Sequence, residues 1–162
     1  MRVDVVEIRP FESGDAEGVV RLSLRAWAPV FPCIEAAMDH DVYIAMHPDW
    51  RVTQRDAVAA TCADESMQVW VAVEDGIPAG FVAVKLHPDA LREIYMLAVD
   101  PDYQRRGIAA ALTDVSLAWM KQQGVSVAMV QTGGDPGHAP ARSAYEKFGF
   151  RALPSAQYFK KL

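Results

Sequence analysis

Two neighbouring arginines stand between a glutamine and a glycine in the segment VDPDYQRRGIAAAL, Val99 to Leu112. An apolar strand pattern precedes them and a small-residue helix pattern follows. A helix N-terminus presents unpaired backbone N–H groups and a partial positive charge, which together attract anions. A glycine there lets a bulky anion approach the backbone. Arg105 and Arg106 add forked donors that suit phosphate oxygens, and Gln104 adds a further polar side chain. The segment reads as a diphosphate cradle with Gly107 in the first helical turn. A basic helix start with a packing glycine explains the same residues equally well. No GKS or GKT follows, so the spacing is not that of a P-loop, and the three-glycine dinucleotide fingerprint is absent.

The elements that must hold this elbow follow from period and punctuation. A first strand spans Val5 to Arg9. A helix follows, with an N-cap at Ser13 or Asp15, and ends at Pro29 and Pro32. Helical spacing from Ile34 to about Met46 predicts one second helix, and a weaker third covers Thr53 to Ala63. Two β-rich runs then flank Asp75-Gly76, a strong hairpin signal. Arg92 to Val99 is a further strand. A helix from Arg106 to about Gln122 has Gly124 as its C′ residue. VSVAMVQT reads as a buried strand. Pro140 opens a last helix, Gly149 closes it, and ALPSAQYFKKL ends the chain as one or two strands. The order β-α-α-(α)-β-β-β-α-β-α-β, with no repeat or linker, predicts one mixed α/β domain over residues 1–162. The unit from Arg92 to Thr132 should be a right-handed crossover between parallel strands.

Composition bounds the partners. The 162 residues are 51% hydrophobic and carry a net charge of −5, so any anion site is local and nothing points to nucleic acid or a membrane surface. The N-terminus lacks a signal-peptide apolar core, and no stretch has the apolar length of a membrane span. Cys33 and Cys62 have no Cys/His cluster around them, which favours two reduced, partly buried thiols in a cytoplasmic protein. His40, His47 and His87 are not at metal-ligand spacing and read as ordinary surface histidines, so no metal is expected.

The elbow resembles a known family. QRRGIA, Gln104 to Ala109, is similar to the Q/R-x-x-G-x-G/A pyrophosphate loop of the GNAT N-acetyltransferases. It follows the strand IYMLAVDPDYQ, as in that family. ARSAYEKFGF, Ala141 to Phe150, is similar to the second signature of the family. The resemblance covers essentially the whole chain. It implies a central, mostly antiparallel twisted sheet with helices on both faces and a splayed parallel strand pair at the acetyl-CoA site. It implies cofactor contacts from Gln104, Arg105, Arg106, Gly107, Ile108, Ala109 and Ala110. The strand before the loop should carry a bulge, which frees ladder groups for pantetheine at Leu97, Ala98 and Val99. One departure is His138, where many members have asparagine; a histidine retains hydrogen-bonding capacity toward the pantetheine arm. Gly133 and Gly134 either make room for the cofactor or turn the chain.

Acetyl transfer from a thioester to an amine needs a neutral amine, a stabilised oxyanion and a protonated leaving thiolate. The resemblance places Tyr145 at the thiolate acid, and a phenol is protonated at neutral pH. A core tyrosine on an amphipathic helix is the competing reading. Glu93 matches a general-base glutamate found in some members; otherwise it is a solvated strand-end charge paired with Arg92. The family builds its acceptor pocket in the N-terminal helical third, so Trp27 and Phe31 are assigned to the acceptor side. The reading is an acetyl-CoA-dependent acetyltransferase acting on a small amine in a ternary complex. A peptide or protein amine, a CoA-binding module without turnover, and a homodimer are the alternatives that remain.

Overall fold

Alternating apolar residues from Gln68 to Leu86 fold back at Asp75 and Gly76, whose φ values of 50° and 79° are those a tight hairpin turn requires. The computed structural model describes residues 6–88 and 91–162. The hairpin strands are β2 (Gln68–Glu74) and β3 (Ile77–Leu86); β1 is Glu7–Pro10, β4 Leu91–Val99 and β5 Val127–Val130. The sheet order is β1-β2-β3-β4-β5, antiparallel except for the parallel β4–β5 pair. Val5, expected in β1, lies outside the described residues.

The chain divides into two compact units, Met1–Ala26 with Gln54–Gln131, and Trp27–Thr53 with Thr132–Leu162. The first unit holds the sheet, α1 (Ala16–Trp27) up to Ala26, most of α4 (Trp50–Ala63) and α5 (Ile108–Gln122). Two bulges set its geometry. Ala72 pairs with Gly80 but Val73 with Pro78, so Ala79 is an extra residue in β3. Ala83 pairs with Met96 but Val84 with Ile94, so Tyr95 is an extra residue in β4. Each bulge inverts the alternation of sides. Pro78 therefore faces α1, where its Cγ stands 2.7 Å from the Cβ position of Gly18, while Gly80 faces α5, 3.0 Å from Ile108 Cγ2. Helices thus cover both faces, as the family resemblance implied. Leu22, Phe81, Ile94 and Leu112 fill the core.

The second unit holds α2 (Phe31–Ala37), α3 (His40–Met46) and α6 (Ala139–Lys147). The single helix expected over 34–46 is two, because Asp39 leaves the helical region and accepts the N–H groups of Asp41 and Val42 as an N-cap. Asp49 does the same for Arg51 and Val52, so α4 begins at Trp50 rather than Thr53. Pro32 opens α2 instead of closing α1. The expected C-terminal strands are absent, since residues 151–162 have no regular secondary structure. β5 is therefore an edge strand of four residues with Val127 exposed, not a buried one.

Asp15 is not the N-cap of α1. It closes a 3-10 turn, accepts the Glu12 N–H and takes a two-pronged pair from Arg9 at 2.8 Å, tying β1 to the start of α1. The Arg9 hydrogen bonds hold its carboxyl below the usual range despite burial. A lowered pKa in the folded state means the contribution is present above the unfolded value near 4 and fades as pH falls. Asp15→Ala should cost about 2 kcal/mol by urea denaturation at pH 7, and less at pH 3.

Candidate active site

β4 pairs with β5 only over Leu91–Ile94, so the two strands part at the Tyr95 bulge. Beyond it, one edge of β4 faces no strand. The Asp100 N–H donates to the Ala79 carbonyl. Antiparallel alternation then turns the peptide groups of Ala98 toward β3 and those of Leu97 and Val99 to the open side. Ala98 was expected to offer ladder groups to a ligand; it cannot do so while paired with β3. Gln104 Nε2 donates to the Val99 carbonyl at 3.1 Å. Gln104 therefore pins the loop to its strand, rather than standing free as an anion ligand.

The elbow itself rests on backbone conformation. Arg105 and Gly107 both have left-handed φ, 63° and 82°. Gly107 is the N-cap of α5, not a residue of its first turn. Its φ is the physical reason for a glycine, since a side chain there is strained. The space beside it is open, with nothing within 4 Å of its Cβ position. The first α5 backbone bond runs from the Ala111 N–H to the Gly107 carbonyl, which leaves the N–H groups of Ile108, Ala109 and Ala110 without intrahelical partners. They line a cavity of about 150 Å3 with Val99, Tyr103, Gln104 and Arg105. Arg106 pairs with Glu74 at 2.7 Å and lies over the Tyr103 ring; both arginines are exposed. These features fit a diphosphate.

Arg25 was missed by sequence reasoning. From α1 it grips both Asp100 oxygens at 2.8 Å and Asp102 at 3.0 Å, fixing the start of the elbow. A separation of 75 residues leaves no local signal for that pair. His87 was dismissed as a surface histidine. Its Nε2 shares a 2.7 Å hydrogen bond with Glu93 Oε2, and Glu93 is buried. Arg92 donates instead to the His87 and Leu91 carbonyls, so it is not the partner of Glu93. The alternation within β4 was the available clue, because it turns Glu93 and Arg92 to opposite faces.

In the second unit, the second motif ends in a helix cap. The Phe150 N–H bonds the Tyr145 carbonyl, the Gly149 N–H bonds the Glu146 carbonyl, and Gly149 has φ 87°. This is a Schellman motif, completed by edge-to-face contact of the Tyr145 and Phe150 rings at 5.9 Å. Tyr145 is half-buried, and burial pushes its phenol up to about 12. His138 Nδ1 shares a 2.5 Å hydrogen bond with Asp135 Oδ2. Burial pushes the Asp135 carboxyl up, but His138 and the Gly137 N–H more than offset it, and its pKa is lowered. A Cβ on Gly133 would collide with both side chains of that pair, so this glycine makes room for the pair.

Phe31 is buried, stacked on Trp50 at 4.4 Å and edge-on to His47 at 5.4 Å. His47 also lies 5.2 Å from Tyr43, so it belongs to an aromatic cluster and is not an ordinary surface side chain. Trp27 is half-buried. Both cysteines are free, and burial raises the Cys62 thiol to about 11. Among the described residues no cluster could hold a metal ion, and no helix is long and apolar enough to cross a membrane.

The model of the Acetyltransferase (GNAT) family matches residues 31–150. The chain belongs to the GNAT family. Among relatives, it is 31% identical over 148 residues to the mycothiol acetyltransferase of Thermomonospora curvata, covering 91% of this chain and 44% of that protein. It is 34% identical over 154 residues to that of Beutenbergia cavernae, covering 93% and 47%. The chain spans less than half the length of these relatives. Solved GNAT structures share the fold. The PaiA N-acetyltransferase of Thermoplasma acidophilum, in complex with coenzyme A, has a TM-score of 0.70 at 16% identity, covering 94% of this chain and 93% of that one. The ribosomal-protein-S18-alanine N-acetyltransferase of Escherichia coli has a TM-score of 0.69 at 21% identity, covering 93% and 80%.

Gly107→Glu adds strain at φ 82° and a carboxylate at the helix N-terminus. Coenzyme A affinity should fall at least about a hundredfold by calorimetry, with the far-ultraviolet circular dichroism retained. An unchanged affinity in the folded variant excludes this elbow as the diphosphate site.

Proposed function

We propose that the chain transfers an acetyl group from acetyl-CoA to the amine of a small molecule. The observation that carries this reading is the open edge of β4 running straight into the left-handed Arg105–Gly107 elbow. Acetyl-CoA supplies the activated acyl carbon, and the residues of this chain bind it, orient it and move protons. The N–H groups of Ile108, Ala109 and Ala110, with Arg105 and Arg106, hold the diphosphate. The outward peptide groups of Leu97 and the Val99 N–H hold the pantetheine arm in an extended line, as a strand would be held. His138, with its Nδ1 engaged by Asp135, offers Nε2 to the same arm.

Glu93 takes the proton of the attacking amine. A free alkylammonium has a pKa near 10, so this step cannot be left to bulk water at pH 7 without cost in rate. His87 is its positioning residue: the 2.7 Å bond fixes which carboxylate oxygen stays free. Tyr145 donates its phenolic proton to the leaving sulfur. Burial favours the neutral phenol, so the acid form persists up to about pH 12. The mycothiol acetyltransferase relatives support a small-molecule acceptor over a protein one.

Purified protein with acetyl-CoA should release free thiol only when an amine acceptor is added; no thiol with a broad amine panel overturns this reading. Tyr145→Phe should lower kcat by about 10- to 100-fold with acetyl-CoA affinity unchanged, and the wild-type rate should show no alkaline limb from this acid at pH 10. Glu93→Gln should lower kcat by about 10- to 100-fold with acetyl-CoA affinity unchanged. His87→Gln should lower kcat while leaving the KM for the amine unchanged, a split that a merely structural histidine would not produce.

A further inference from the structure

A second cavity, about 350 Å3 in volume, lies on the sheet face opposite α5, between the C-terminal half of α4 and the β3–β4 pair. That is large enough for a small ligand. Its wall carries Lys85 from β3 and Tyr95 from the β4 bulge, with the Lys85 ammonium 5.2 Å from the centre of the Tyr95 ring. Among the described residues no carboxylate lies within 4 Å of that ammonium. Asp64 stands on the same wall, where Ser66 occupies its Oδ1 with both an N–H and an O–H bond. Ala57, Ala60 and Met67 give an apolar lining.

Lys85 is the direct cross-strand partner of Glu93, and both project from the same face. Such partners have Cβ atoms about 5 Å apart. The pair thus offers a cation and an anion at one short spacing, beside the bulge at which β4 leaves β5. An α-amino acid carries the opposite pair, a carboxylate and an amine on one carbon. One ammonium, with Asp64 nearby, matches a monoanion better than a phosphate dianion.

We propose that this cavity is the acceptor subsite and that Lys85 selects primary amines bearing an α-carboxylate. Bound this way, the carboxylate rests on Lys85, the amine faces Glu93, and an aliphatic side chain lies against the α4 alanines. The proposal rests on the acetyl-transfer reading and names its substrate class.

L-leucine and isopentylamine, which lacks only the carboxylate, form the probe pair, titrated by calorimetry into protein saturated with coenzyme A. L-leucine should bind about tenfold more tightly, in line with one charge-assisted contact. Lys85→Met should erase the difference and Lys85→Arg should keep it, with coenzyme A affinity unchanged in both. Ala60→Trp fills the cavity from an exposed helix position and should abolish binding of both amines. Equal affinities in the wild type, a preference that survives Lys85→Met, or full binding in Ala60→Trp would each overturn the proposal. These titrations need no turnover. Failure of acetyl transfer shows separately, as absent thiol release from acetyl-CoA.

Discussion

The site depends on one extra residue. Tyr95 has no partner in β3, and at that point β4 stops pairing with β5. A strand ladder normally consumes every backbone donor and acceptor along its length. Here the ladder is interrupted while the strand continues to Val99. The outward peptide groups of Leu97 and the Val99 N–H remain available to another extended molecule, while Gln104 holds the Val99 carbonyl. Just before the bulge, the cross-strand partners Lys85 and Glu93 project from one face. The bulge therefore frees one edge of β4 beside that pair.

The elbow after β4 is held from several directions, which explains how it tolerates two left-handed residues. Arg25 clamps Asp100 and Asp102, Gln104 ties the loop to the Val99 carbonyl, and Arg106 reaches Glu74. A non-glycine residue in the left-handed region costs roughly 1–2 kcal/mol, so Arg105 keeps that conformation only because its neighbours are pinned. The result is a preorganised turn. Its unpaired N–H groups need no rearrangement to meet an anion, and preorganisation of this kind reduces the cost of binding.

Charge in this protein is used locally. The chain is acidic, with a net charge of −5, yet the elbow concentrates two arginines and a helix N-terminus. Other strong contacts fix backbone rather than bind ligands: the ion pairs of Arg9 with Asp15 and Arg25 with Asp100, and the hydrogen bonds of Arg142 to the Gly133 and Asp135 carbonyls. Glu93 with His87 and Asp135 with His138 instead pair a carboxylate with an imidazole.

The sequence by itself determined the hairpin, the strand–elbow–helix unit and the two signatures, because turn chemistry and period act over a few residues. Asp75-Gly76 must take positive φ, Gly124 and Gly149 must end helices, and QRRGIA must open one. Local pattern could not supply the break at Asp39, since the apolar spacing runs through it and only the side-chain cap decides. Nor could it reveal that residues 151–162 leave the sheet, because β-propensity expresses itself only where a partner strand exists. The partners were decided by tertiary structure alone. Arg25 meets Asp100 across 75 residues, Glu93 takes His87 rather than Arg92, and Lys85 comes opposite Glu93 through a register that one bulged residue sets. Register is a property of paired strands, and no single strand carries it.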